Sequence, residues 1–237
     1  MTSGIPLLWL PGLLCDETLF SPVNDLLSAH VKPICAELQA LDSMAALAKD
    51  ILDSAPESFI LGGLSMGGIL AFEVYRQAPE RVKGMILLDT NSSDEKQEVT
   101  DKRNLLVAKA NSGQFSLITP DHLLSVLIHP ERLTDTPLVN DICQMAENVG
   151  VEKFTSHAQA LATRPDARPL LSQISVPSLI ISGRDDLLCP IENHLLMDEV
   201  IANSTLEVIE RCGHLSTLEQ PELVADTINS WIKNNDF

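Results

Sequence analysis

Six short apolar runs recur along the chain, at residues 6–10, 31–35, 58–64, 82–89, 177–182 and 205–209, with helix-length amphipathic segments between most of them. The runs are mostly Ile, Leu and Val, as strands covered on both faces require, and strands joined through helices run parallel. The pattern predicts an α/β fold: a doubly wound, mainly parallel sheet of about six strands flanked by helices. One helix is expected over 43–54, another over 69–77, and a last one over 221–233 opens on Pro221, where a missing N–H does no harm. The rhythm breaks between about residues 91 and 175, where helical patterning at 101–110, 120–128, 137–149 and 152–162 is not interrupted by any strand-like run. A single domain over 1–237 is therefore expected, with a helical insertion at 92–170 after the fourth strand.

Charge narrows the function. The 237 residues hold 16 Lys and Arg against 33 Asp and Glu, a formal net charge of −17. A surface of that sign repels nucleic acid and anionic membranes, so neither is expected as a partner. The insertion differs from the body, with 8 basic and 11 acidic residues in 92–170. The first apolar stretch, 5–14, lacks a basic leader and is broken by Pro6, Pro11 and Gly12, so a signal peptide or membrane span is not expected. The mature chain is expected to begin at Met1, in the cytoplasm. Five cysteines, an odd number without a Cys-x-x-Cys pair, point to neither a disulfide framework nor a zinc site. Small packed thiols explain them more simply than a redox pair of Cys189 with Cys212.

The sharpest motif is Gly63-Leu64-Ser65-Met66-Gly67, between the third apolar run and the helix that follows. Such spacing suits a tight strand-to-helix turn that displays the serine hydroxyl at the carboxyl end of a sheet, with glycines where a Cβ would collide. The next N–H, from Met66, can then stabilise an oxyanion. A serine nucleophile needs a base. Of six histidines, His30, His122, His129, His157 and His194 lie in helical patterns or at ordinary segment boundaries, while His214 stands in Cys212-Gly213-His214 just past the last strand. The base needs an orienting carboxylate, and Asp185 and Asp186 both follow the fifth strand at the same edge; local chemistry does not separate them.

These motifs together resemble the α/β-hydrolase superfamily, specifically its small, cofactor-free, esterase-like members with a helical cap. The order nucleophile, acid, histidine matches Ser65, Asp186 and His214, and Gly183-x-x-Asp186-x-x-x-Pro190 favours the second aspartate. The resemblance implies that Leu13 N–H joins Met66 N–H as the oxyanion hole, with Leu14 as the alternative donor and Pro11 standing where a histidine is usual. It also implies acyl transfer to water on a small or medium-sized ester, no metal and no cofactor, in a monomer or homodimer. Leu14, Phe115, Phe154, Arg103 and Arg164 are candidate substrate contacts, the arginines, with Arg168, as holders of a substrate carboxylate. Core packing is the simpler use of the phenylalanines, and solvated helix faces the simpler use of the arginines. An enol-lactone or carbon–carbon bond hydrolase, an acyltransferase or perhydrolase with the same triad, and a triad-bearing ligand receptor are the alternatives.

Overall fold

Trp9 and Gly62 stand opposite one another on neighbouring strands, and their fit shows how the sheet is built. A computed structural model describes residues 4–237; the expected start at Met1 lies outside them. The apolar runs form β1 (Ile5–Leu10), β2 (Val31–Cys35), β3 (Phe59–Leu64), β4 (Val82–Leu88), β5 (Ser178–Gly183) and β6 (Ser204–Ile209). They make one sheet in the order β2-β1-β3-β4-β5-β6, and each neighbouring pair is parallel. Strand bounds differ from the expected ones by no more than one residue. Every residue of β3 and of β5 is buried, whereas β2 and β6 at the edges are partly exposed. Pro33 sits in β2, where a missing ladder donor is tolerated.

Side chains alternate across the sheet, and each face gathers its own helices. Leu8, Leu10, Leu61 and Leu87 pack with α1 (Met44–Ser54), α2 (Met66–Gln77) and α5 (Ile191–Val200). Leu7, Trp9, Ile60 and Ile86 pack with α6 (Pro221–Asn234) and the single turn Ser21–Asn24. Ser43 caps α1 by accepting the Ala46 N–H at 3.3 Å, so a helix expected from 43 starts one residue later. Strand order reverses between β1 and β3, and in open α/β sheets the crevice at the carboxyl ends beside such a reversal receives ligands.

Between β4 and β5 the described residues form no strand. Helix α3 (Gln97–Lys109) leads into irregular helical turns through Leu127, then into the long α4 (Thr136–Ala162). Here the structure departs from expectation: the first helix starts at Gln97, four residues earlier than the pattern suggested, and 120–128 is not one regular helix. Gly150, at φ 79° and ψ 166°, breaks α4 where two helices had been expected. Glycine meets no Cβ penalty in that conformation. Ala110, Ile118, Ala146 and Phe154 give this insertion a small core of its own, which Leu14 joins from the body. Among the described residues no helix is long and apolar enough to cross a membrane.

Trp9 is fully buried, stacks on Phe20 at 4.5 Å and donates from Nε1 to Asn24 Oδ1 at 2.9 Å. A Cβ at Gly62 would lie 2.1 Å from its ring. Gly62→Ala must push the indole off both partners, so it is expected to lower stability by about 1–3 kcal/mol, the usual scale for overpacking. Urea unfolding checks this; an unchanged midpoint would mean the indole has another place to go.

Candidate active site

β3 ends at Leu64 and α2 begins at Met66, which leaves Ser65 alone to turn the chain. It does so at φ 56° and ψ −116°, a conformation that L residues rarely adopt. The flanking glycines let it happen: a Cβ on Gly63 would meet the Gly67 carbonyl oxygen at 2.3 Å, and one on Gly67 would lie 1.8 Å from the Leu10 carbonyl oxygen. Ser65 N–H donates to Leu88 O at 3.0 Å, and Thr90 Oγ1 donates to Ser65 O at 2.7 Å, so the end of β4 grips both sides of the serine. Met66 opens α2, and a first-turn N–H has no partner within its own helix. Across the cleft, Cys15 N–H donates to Gly12 O at 3.1 Å and closes a turn with Leu14 at φ 62°, as the third position of a type II turn demands. Leu13 and Leu14 are its central residues.

His214 Nε2 lies 2.8 Å from Ser65 Oγ, and His214 Nδ1 lies 2.8 Å from Asp186 Oδ2. The carboxylate makes Nδ1 the donor, so Nε2 faces the hydroxyl as acceptor. Asp186 Oδ1 accepts the N–H groups of Leu188 and Cys189 at 2.8 and 2.9 Å. Asp185 instead turns outward, its side chain 43% exposed and its Oδ2 3.6 Å from His129 Nε2. Burial alone would lower the His214 pKa, but the charge and hydrogen bond of Asp186 outweigh it and hold the imidazole above its ordinary value. A hydroxyl, an imidazole and a carboxylate in this line can deprotonate an alcohol and hand the proton on.

Sequence reasoning missed the carboxylates behind this line. Asp89, at the end of β4, accepts the Gly183 N–H at 2.8 Å and the Ser216 N–H at 3.3 Å, joining the loops that carry Asp186 and His214. Glu219 accepts the N–H groups of Gly213 at 2.9 Å and His129 at 2.7 Å, and His214 N–H donates to Leu127 O at 2.9 Å. The histidine loop is thus tied to the insertion. An acidic residue at a strand's carboxyl end was the one available signal for Asp89. His194 is a packing residue: fully buried, it accepts the Thr90 N–H at 3.0 Å, and burial lowers its pKa to about 4.

A cavity of about 460 Å³ opens over Ser65 and His214, and Leu13, Leu14, Met66, Arg103 and Arg164 line it. The last two are well covered, with side chains 16% and 7% exposed. They are not on solvated faces, unlike Arg168, which is 50% exposed and paired with Asp94 and Asp166. Phe115 and Phe154 are not among the lining residues; they pack on each other in the insertion, ring centroids 6.1 Å apart. Asp186, Cys189 and His214 hold donor atoms close enough to share a cation, but His214 has both nitrogens engaged and burial pushes the Cys189 thiol up, leaving a weak ligand. Cys212 is likewise a buried free thiol.

Burial, then repulsion from Asp186, raises the Asp89 pKa to about 7 against the opposing pull of His214 and two hydrogen bonds. A carboxyl whose pKa rises on folding holds its proton more tightly in the folded chain. It therefore lowers stability progressively as pH climbs from its unfolded value of about 4 to about 7. Asp89→Asn is expected to flatten the fall in stability across that window, read as urea midpoints against pH; an unchanged slope would refute it.

Comparison with known proteins identifies the fold family. Residues 32–221 match the α/β hydrolase fold family. A thermophilic esterase from Thermogutta terrifontis, solved with malate bound, superposes with a TM-score of 0.92 at 27% identity, over 99% of this chain and 92% of that one. The pimeloyl-[acyl-carrier protein] methyl ester esterase of Legionella pneumophila is 23% identical over 97% of this chain and 96% of its own. The 3-oxoadipate enol-lactonase 2 of Acinetobacter baylyi is 27% identical over 72% of this chain, a match spanning 62% of the lactonase. With a family match across most of its length and the sheet that family requires, this chain belongs to the α/β-hydrolase fold family.

Proposed function

We propose that this chain is a serine hydrolase that cleaves a carboxylic ester of a small or medium-sized molecule through an acyl-enzyme. The observation that carries the reading is the unbroken line from Ser65 Oγ through His214 to Asp186, with 2.8 Å at each link, under a cavity large enough for such a substrate. His214 Nε2 takes the hydroxyl proton as Ser65 Oγ attacks the carbonyl carbon, and Asp186 stabilises the imidazolium. The N–H groups of Met66 and Leu13 face the oxygen that becomes negative. The tetrahedral adduct then collapses: the bond to the leaving alcohol breaks and His214 gives that alcohol the proton. Water, deprotonated by the same imidazole, attacks the acyl-enzyme and releases the acid. Residues 92–170 act as a cap, supplying the far wall of the cavity.

A lactone is an internal ester, so the same steps open one, and the name of the Acinetobacter relative gives that substrate class weight. The Thermogutta esterase was solved with malate, a small dicarboxylate, bound.

Hydrolysis of p-nitrophenyl esters of increasing acyl length tests the reading. Ser65→Ala is expected to lower kcat at least about 10³-fold with the fold intact; activity that survives it would sink the mechanism. The base must be neutral to act, so kcat/KM is expected to rise with pH through the His214 pKa, above the ordinary value of about 6.5. Asp186→Asn removes the charge that raises it, so the limb should move to lower pH while kcat falls by up to about 10⁴. Asp185→Asn should leave both within about threefold; the reverse ranking would exchange the roles of the two aspartates.

A further inference from the structure

Glu95 is the most deeply held acid of the insertion, its side chain 1% exposed, and it lines the same cavity as Ser65. Oε1 accepts from Arg103 Nη1 at 2.5 Å and from Thr100 Oγ1 at 2.8 Å, and Oε2 accepts from Arg164 Nη1 at 2.5 Å. Arg164 Nε donates to Ser93 O at 2.9 Å, which fixes the plane of that guanidinium. Two cations therefore share one carboxylate, and one positive charge in the cavity wall has no counter-charge within the cluster. The remaining charges on the lining, Lys96, Glu192 and Asp94, are exposed and screened by solvent, and Asp94 shares Arg168 with Asp166.

Among the described residues the Nη2 groups of Arg103 and Arg164 have no acceptor in the protein. Nor are they sealed in: the buried polar side-chain atoms without a partner are Ser216 Oγ and Thr217 Oγ1. Both residues line the cavity, and these two donors keep some exposure. A covered guanidinium that keeps free N–H donors is a poor packing group and a good oxyanion receptor, because its planar fork matches two oxygens at once.

We propose that Arg103 and Arg164, clamped on Glu95, bind a carboxylate carried by the substrate away from its reacting carbonyl, so that the natural substrate is an ester or lactone of an anionic acid. The assignment rests on the hydrolase reading for the reaction, but its binding half stands without it. One unmatched positive charge suits the single charge of one carboxylate group better than the larger charge of one phosphate group. Glu95 offsets the mutual repulsion of the two guanidiniums and orients them, a positioning task.

Matched substrates test it: monomethyl adipate against methyl hexanoate, alike in reach and differing in the terminal carboxylate. Wild type should prefer the acid-bearing ester in kcat/KM by roughly ten- to a hundredfold, the scale of a charge-assisted contact. Arg103→Gln should erase most of that preference, whereas Arg168→Gln, which removes the same charge outside the cavity, should keep it. Calorimetric binding of glutarate to Ser65→Ala gives a readout without turnover and should be lost in Ser65→Ala/Arg103→Gln. Turnover of both esters without preference, with no glutarate binding, overturns the carboxylate site and leaves the hydrolase standing. Glutarate binding that depends on Arg103, in a protein that hydrolyses neither ester, upholds the site and sinks the hydrolase. Tighter binding of inorganic phosphate than of glutarate overturns the choice of carboxylate.

Discussion

The conformation of Ser65 is the constraint on which the rest of the site depends. A backbone at φ 56° and ψ −116° is unfavourable by about 1–3 kcal/mol, so the fold must over-determine it. Three groups do so. Gly67 packs its Cα against the Leu10 carbonyl, which brings the start of α2 down onto the end of β1. Leu88 O and Thr90 Oγ1 hold the serine's own N–H and C=O. Thr90 is in turn held by His194 from α5 and abuts Gly68, so strands β1, β3 and β4 and helix α5 all converge on this turn. A turn gripped from all sides presents its hydroxyl in one direction, which geometry-dependent chemistry requires.

Around His214 the difficulty is charge rather than shape. Asp186, Asp89 and Glu219 are all buried near one imidazole. Each carboxylate is solvated by backbone N–H groups, from Leu188 and Cys189, from Gly183 and Ser216, and from Gly213 and His129. Those donors cost nothing to orient because the loops are already in place. Even so, burial and then the charge of Asp186 raise the Asp89 pKa to about 7, so Asp89 absorbs the conflict. Asp186 keeps two N–H donors on one oxygen and the imidazole on the other.

Much of this was legible in the chain because it is local. Apolar runs that must be covered on both faces look alike wherever they occur, so the central strands could be read from composition. Gly63 records a backbone collision with Gly67 close by in the chain, although Gly67 itself answers to the distant Leu10 carbonyl. Asp186 and Asp185 could not be separated by local chemistry, since the difference lies in which carboxylate the loop after β5 turns toward a histidine 28 residues on. Helical periodicity was weaker still in the insertion. It finds a covered face but does not say whether a core or a cavity covers it, so Phe154 went into a core while Arg164 turned inward to an acid 69 residues earlier. Asp89 and Glu95 were hidden for the same reason: Asp89 answers to Gly183 and Ser216, and Glu95 to Arg164, all far away in sequence.

The chain's surplus of negative charge bears differently on approach and on binding. At physiological ionic strength the field of surface carboxylates decays over about 8 Å, so a net −17 mainly slows the arrival of an anion. Within the cavity, where apolar walls lower the local dielectric, the nearest charges dominate. There the unmatched guanidinium charge of Arg103 and Arg164 outweighs distant carboxylates. An acidic surface and an anion-receptive interior are therefore compatible: the first acts on association rate and salt dependence, the second on which bound molecules stay.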